Sequence, residues 1–143
     1  MKIYNHSKFG KEIYLSSFPE EIFDGVYHLQ NTNYPPLDIL VEGLENHLEQ
    51  KNFLVCLHGA KDRSKYTGPF FEGKNLAKKC SLPLLSFSDP SLKLDHDLRI
   101  GWHAGTRNYP FLPNIYANII TSLSKQTKKN PLLLAVQQEG LRF

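Results

Sequence analysis

The chain has 143 residues, of which 41% are hydrophobic and 22% are charged, and its formal net charge is +3. This length favours a single domain, and the apolar content is that of a packed core, which excludes a wholly disordered chain. So small a net charge does not indicate a nucleic-acid partner, because a surface that binds phosphates needs clustered cations.

Residues 1–50 combine two predicted strands, a loop and a short helix. Apolar and polar side chains alternate over Lys11–Leu15 and Gly25–Leu29, which is the pattern of half-buried strands. Two adjacent prolines predict a loop over 31–36, because proline interrupts both helices and central strands. Asp38 precedes apolar residues at helical spacing and predicts the start of a short amphipathic helix. These residues are Leu40, Val41, Leu44 and Leu48.

Residues 51–136 alternate between apolar strands and helices. The predicted strands are Phe53–Leu57, Leu82–Phe87 and Leu132–Val136, the predicted helices are Phe70–Cys80 and Asn114–Ser124, and the polar connection is Ser91–Tyr109. This alternation predicts an α/β fold with parallel strands that are covered by helices on both faces. Ligands bind such sheets at the carboxyl ends of the strands, which places His58, Gly59 and Asp89 on one rim.

One segment has the spacing of a phosphate-binding loop. Gly68–Lys74 reads G-x-x-x-x-G-K, but Asn75 stands where the motif needs a serine or threonine hydroxyl. The preceding strand ends about ten residues upstream, so the strand does not lead directly into the loop as the motif requires. We therefore interpret the segment as a loop before a surface helix, and expect no nucleotide cofactor.

Two polar clusters are interpreted as solvated surface. The first would suit a metal but lacks the paired His or Cys spacing of metal sites, and consists of Asp95, His96, Asp97 and His103. The second is a basic group at the end of the last predicted helix, and consists of Lys125, Lys128 and Lys129. No aromatic side chains are interleaved with these lysines, so we expect neither a metal nor a nucleic-acid partner.

The two cysteines and the N-terminus bear on location. Cys56 and Cys80 are too few for a disulfide framework, so we expect reduced thiols in a cytoplasmic protein. The first residues carry no apolar secretion core. No apolar run is long enough to cross a bilayer, so we expect no membrane partner.

A series of segments in fixed order carries a resemblance. The segments are Leu54–Ala60, Arg63, Pro69–Phe71, Leu76–Ala77, Leu82–Leu92 and Gly101–Arg107. Over roughly residues 37–134 the chain resembles the N-terminal half of a bacterial family of α/β-hydrolase-like proteins, whose genes often accompany surface-polysaccharide genes. The resemblance implies a three-layer serine-hydrolase fold whose site lies at the rim of the sheet.

The resemblance also implies roles for particular residues. In α/β-hydrolases a loop after the third strand donates a backbone N–H to the oxyanion, and His58, Gly59 and Ala60 match that loop. Glycine at a strand end lets the backbone turn and approach a substrate. The remaining matched residues would line the pocket rim, and they are Arg63, Asp89, Trp102 and Arg107.

The chain departs from the family where the nucleophile should stand. The strand at 132–136 should lead into a G-x-S-x-G elbow, but Val136 is followed by Gln137–Gly140, which contains no serine. The acid and the histidine follow the nucleophile in this fold, so all three catalytic groups would be missing. An upstream histidine such as His58 is not assumed to replace them.

The genetic code suggests a reason for this departure. In the neighbouring reading frame, codons from Leu133 onward could encode Phe-Gly-Ser-Ala-Ala-Gly-Gly-Phe-Ala, which resembles an elbow. We therefore interpret 137–143 as an out-of-frame tail, and 1–143 as a single incomplete α/β domain. A sheet that stops here would expose the apolar edge 132–136, through which the chain could self-associate or bind its missing half.

Two functions follow as expectations. The first is an inactive, truncated relative of a serine esterase or acyl transferase that acts on a surface glycan. The alternative is a small noncatalytic α/β protein that binds an anionic or sugar ligand through Asp89, Trp102 and Arg107. Neither expectation needs a cofactor.

Overall fold

Seven strands form one mixed sheet in the part of the chain that the structure describes. The structure is a computed structural model, and it describes residues 2–6, 10–31, 34–64, 68–99, 101, 103–105, 107 and 111–135. The strands are β1 (Lys2–His6), β2 (Gly10–Leu15), β3 (Gly25–Asn31), β4 (Tyr34–Glu42), β5 (Asn52–Leu57), β6 (Leu84–Ser88) and β7 (Asn130–Ala135). The helices are α1 (Lys74–Cys80), α2 (Pro90–Leu94) and α3 (Leu112–Thr127).

The order of strands across the sheet is β1-β2-β3-β4-β6-β5-β7. As predicted from its continuous apolar run, β5 lies between two parallel neighbours, β6 and β7. The prediction of a wholly parallel sheet is wrong, because β4 runs antiparallel to both β3 and β6. The architecture is α/β with a mixed sheet. None of the described helices is long and apolar enough to span a membrane.

The strand β4 replaces the predicted loop and helix around Asp38. Its prolines, Pro35 and Pro36, precede the first residue that pairs with β6, and they coincide with a shift of register against β3. Proline is tolerated at such a place because no sheet hydrogen bond depends on its missing N–H. Over residues 37–41 the strand is central and buried, so pairing on both sides overrides the weak helical spacing.

The two faces of the sheet have separate cores. One face packs against α3 through Leu112, Tyr116 and Leu123, and includes the largest buried side chains of the strands. The opposite face packs against α1 through Ala77. Because side chains alternate along a strand, even-numbered residues such as Leu40 lie on the α1 face and odd-numbered ones such as Ile39 on the α3 face.

The first two helices differ from the prediction: α1 begins later than predicted, and α2 was not predicted. α1 begins at Lys74 rather than Phe70, since Gly73 takes a left-handed φ of 98° and a Cβ there would lie 2.3 Å from the Cys56 Sγ. The preceding residues are held to β6, whose Ser88 Oγ accepts from the Phe70 N–H at 3.0 Å. α2 lies within the predicted polar connection, and Asp89 caps it.

Lys129 is buried, which corrects its interpretation as part of a solvated basic face. Its side chain crosses to the turn that follows β4, where the ammonium donates to the carbonyls of His47 and Leu48 at 3.0 Å each and to that of Gln50. The converging carbonyls of this turn need hydrogen-bond donors, and the ammonium has three N–H groups to donate. Lys125 of the same predicted face is exposed.

We expect Lys129→Met to lower the free energy of unfolding by about 2 kcal/mol, because charged hydrogen bonds are lost and the carbonyls of the turn are left without their donor. Lys125→Met is the matched control, since it removes the same charge from an exposed position of α3. Urea denaturation of both variants measures the difference. Equal stabilities of the two variants would show that the buried ammonium contributes nothing beyond its charge.

Candidate functional site

The predicted oxyanion-side loop follows β5 and is buried. His58 is 3% exposed and Ala60 is 1% exposed, and Gly59 between them is also buried. The His58 ring contacts His103, with ring centroids 4.7 Å apart. His103 is 6% exposed, so its assignment to a solvated loop is wrong. We call the group of His58, Asp89, His103 and Tyr116 the buried histidine network.

The hydrogen bonds of the network fix the proton on each histidine. The Asp89 N–H donates to Nε2 of His58 at 2.9 Å, so that nitrogen is unprotonated and Nδ1 carries the proton, which it donates to the Gly59 carbonyl at 2.8 Å. His103 has the opposite tautomer. Its Nε2–H donates to the His58 carbonyl at 3.2 Å, while Nδ1 accepts from the Tyr116 hydroxyl at 2.7 Å.

Asp89 lies beneath the rim rather than on it. It is 1% exposed, and its two carboxylate oxygens accept from the backbone N–H groups of Ser91 at 3.0 Å and His103 at 2.9 Å. The chain approaches so closely here that a Cβ on Gly101 would lie 2.5 Å from the Asp89 Oδ2. The carboxylate therefore joins the start of α2 to the 101–105 segment.

Burial sets the protonation of the network. It lowers the pKa of His58 to about 4, against weaker opposing contributions that include the hydrogen bond to the Gly59 carbonyl. Burial also lowers the pKa of His103, and burial together with the charge of Asp89 raises the pKa of Tyr116 well above its usual value. Both histidines are neutral at pH 7 and both ring nitrogens of each are occupied. The network joins the loop after β5, the start of α2 and the 101–105 segment. None of its histidine nitrogens is free to act as a general base.

The other predicted rim residues are spread over different surroundings. Arg63 donates to the carbonyls of Leu92, Asp95 and Leu98, so most of its guanidinium holds the end of α2 and the turn after it. Arg107 is exposed. Trp102 and the predicted elbow position Val136, with the tail behind it, lie outside the described residues.

A cleft of about 260 Å³ opens at the same edge of the sheet. Its lining includes Tyr14, His28, Asp38, Arg63, Phe70 and Lys93, and we call it the rim cleft. Among the predicted site residues, Arg63 lines this cleft, whereas His58 and Asp89 do not. Ser88, at the end of β6, also lines it.

The floor of the rim cleft is a row of side chains across four strands. Tyr14 pairs with His28, His28 with Asp38, and Asp38 with Ser88, so all lie at one level of the α1 face. The Tyr14 ring stacks on the His28 ring with centroids 4.5 Å apart. The row ends near the carboxyl ends of β2, β3 and β6, where open α/β sheets bind ligands.

Ion pairs connect this row. His28 contacts an Asp38 oxygen through Nδ1 at 2.6 Å and a Glu12 oxygen through Nε2 at 3.2 Å. Burial opposes the charge of His28, but the hydrogen bonds and charges of the two carboxylates outweigh it and raise the pKa of His28. Lys93 of α2 places its ammonium 3.3 and 3.2 Å from the two Asp38 oxygens.

The sequence analysis missed the rim cleft. Tyr14 and His28 are the outward positions of strands whose alternation was predicted correctly, but such positions are usually solvated. Asp38 was assigned to a helix cap. The available signal was the run of polar and aromatic side chains at alternate positions of two neighbouring strands, which strand pairing brings into register on one face of the sheet.

The cysteines and the side chains that can ligate metals are further reactive groups among the residues that the structure describes. Both cysteines are free thiols, as predicted, and burial raises the pKa of Cys56 to about 11, which keeps it protonated. Within the described ranges, no three His, Cys, Asp or Glu side chains are arranged to hold a metal ion. Comparisons with protein-family models, with curated proteins and with solved structures give no match to this chain.

Proposed function

We propose that the chain is the part of an α/β-hydrolase-like fold that precedes the nucleophile, and that it has no hydrolytic activity of its own. One observation carries the proposal: β5 and β7 are parallel neighbours, and Leu57 is the register partner of Ala135. The loop that begins at His58 and the chain position after Ala135 therefore follow from the same level of the sheet.

This adjacency is what an oxyanion hole of the family needs. One of its N–H groups follows the nucleophile, and the other belongs to the loop between the third strand and the first helix. Here β5 is the third strand counted from β3, and the first helix, α1, follows its loop. The order of elements and the placement of β7 beside β5 support the proposal, and the resemblance over residues 37–134 agrees with it.

The proposed inactivity follows from the residues after β7. In the sequence, the segment directly after β7, residues 136–140, contains no serine that could act as the nucleophile. The proposed full-length relative attacks an ester through serine, with backbone donors of the 58–60 loop facing the oxyanion. We further propose that this full-length relative acts on a surface glycan and that the protein is cytoplasmic.

The purified chain is expected to hydrolyse p-nitrophenyl acetate no faster than the same chain unfolded in urea, which controls for hydrolysis by exposed histidines. A folded-state rate that a serine-directed fluorophosphonate abolishes would contradict the proposed inactivity.

The fold assignment has its own test in the gene. The nucleotide sequence around and after codon 134 should encode, in the neighbouring frame, a serine between glycines, as in Phe-Gly-Ser-Ala-Ala-Gly-Gly, and a later histidine. A protein restored to that frame is expected to hydrolyse the ester, and replacement of the elbow serine by alanine should abolish the rate. A downstream sequence without an elbow in any frame would overturn the truncation.

The second candidate is a noncatalytic binding protein, and the rim cleft favours it. The cleft combines aromatic walls with a polar floor at the ligand-binding edge of the sheet. Of the residues first assigned to that role, Asp89 is buried elsewhere and Arg107 is exposed outside the cleft.

A further inference from the structure

We propose that the rim cleft binds a small zwitterion, an α-amino acid with an apolar side chain, whose ammonium takes the place of the Lys93 ammonium on Asp38. This inference does not depend on whether the sheet belongs to a hydrolase. It rests on three features of the cleft: an occupied ammonium position, an unused edge of a guanidinium, and apolar walls between them.

The ammonium position is shown by Lys93. Its Nζ lies 3.2 and 3.3 Å from the two oxygens of Asp38, a carboxylate whose side chain is only 7% exposed. Asp38 is fixed from the other side by His28 at 2.6 Å. The Lys93 side chain is 45% exposed, so it can return to water, and ion pairs of such exposed lysines contribute little stability. A ligand ammonium can therefore replace it.

The carboxylate position is offered by Arg63. Its Nη1 donates to the carbonyls of Asp95 and Leu98 at 3.1 and 2.7 Å, and its Nη2 donates to that of Leu92 at 2.9 Å. These bonds hold the guanidinium in place. Its Nε–H makes no hydrogen bond with a residue that the structure describes, which leaves the Nε–Nη2 edge for a two-pronged contact with a carboxylate.

The walls and the volume restrict the body of the ligand. The Phe70 ring is 8% exposed and carries the Arg63 guanidinium 5.5 Å above its centroid, and Pro69 and Leu92 also line the cleft. A volume of about 260 Å³ holds about nine water-sized groups, which is the size of leucine. A zwitterion also matches the charges, because a lone cation would face Arg63 and a lone anion would face Asp38.

The test is calorimetric titration of L-leucine into the full chain, compared with N-acetyl-L-leucine, L-leucinamide and glucose. L-leucine is expected to bind in the millimolar to micromolar range, and each analogue that lacks one charge at least tenfold more weakly. Binding of either analogue as tight as that of L-leucine, or tighter binding of glucose, would overturn the zwitterion and indicate an apolar or polyol ligand.

Lys93→Met gives the sharper result. It removes the competing ammonium without touching the core, so L-leucine should bind about five- to tenfold more tightly, whereas Lys79→Met on α1, which removes the same charge away from the cleft, should leave the affinity unchanged. Binding that is seen only in Lys93→Met also supports the competition. Unchanged or weaker binding in Lys93→Met, or absence of binding in both proteins, would overturn the proposal.

Discussion

Asp89→Ala is expected to lower the free energy of unfolding by about 4 kcal/mol, because two buried backbone N–H groups lose their acceptor and α2 loses its cap. The bonds at stake are those from Ser91 at 3.0 Å and from His103 at 2.9 Å. The Asp89 side chain is 1% exposed, so the two donors lie away from bulk solvent and lose a charged acceptor. Urea denaturation at pH 7 measures the loss, with an unchanged m-value if the transition remains two-state.

Two further variants make the Asp89 experiment discriminating. Asp97→Ala removes a carboxylate from the exposed turn after α2 and should cost less than about 0.5 kcal/mol. Asp89→Asn keeps one acceptor oxygen and turns the other into a donor, so it should lose roughly half as much as alanine. Equal losses in Asp89→Ala and Asp97→Ala would show that the carboxylate does not join α2 to the 101–105 segment.

The elements that depend on local patterns could be predicted, and those that depend on pairing could not. β5 was predicted from its continuous apolar run, and α3 from its helical spacing, because each signal is strong and local. β4 was missed because its signal is the position of its prolines relative to β3 and β6. A sequence does not contain that register until the neighbouring strands are placed.

The candidate sites show the same division. His58 and Asp89 stand at strand ends and could be singled out, but the hydrogen bonds that bury them with His103 and Tyr116 join residues 13 to 45 positions apart. His28 and Asp38 meet only because β3 and β4 pair at those residues. Residue type was enough to single out some side chains that could bind or react. Their burial and their strand register, which decide their roles, are set by the tertiary structure.

The buried histidine network and the rim cleft differ in their contacts. The buried histidine network fixes the loops after β5 and β6, through His58 and Asp89, and its polar atoms face one another. The rim cleft differs, because its ion pair joins the buried carboxylate of Asp38 to a Lys93 side chain that is 45% exposed. A hydrogen-bonded loop layer beside an ion pair with an exposed lysine is the arrangement that the proposed binding site requires.

The network also makes the protein sensitive to acid. Burial lowers the pKa of His58 to about 4 in the folded chain, while an unfolded histidine titrates near 6.5. A lowered pKa means that the unfolded state binds a proton that the folded state does not. The stability contributed by neutral His58 is therefore complete above pH 6.5 and is lost as the pH falls toward 4.

The expected size of this loss is about 3 kcal/mol for His58, since one pKa unit corresponds to about 1.4 kcal/mol. His103 adds to it in the same direction, because burial lowers its pKa as well. His58→Gln removes one of the two titrating groups. The stability difference between the original chain and His58→Gln should shrink by about 3 kcal/mol between pH 7 and pH 4, as measured by urea denaturation.

Proton uptake on unfolding separates titration from packing in the same pair of proteins. At pH 5 the slope of unfolding free energy against pH should be smaller in His58→Gln by the equivalent of about one proton. A variant that merely packs less well would be less stable at every pH with an unchanged slope. Parallel pH profiles would mean that His58 accepts a proton in the folded chain, and hence that its hydrogen bond from the Asp89 N–H does not hold it neutral.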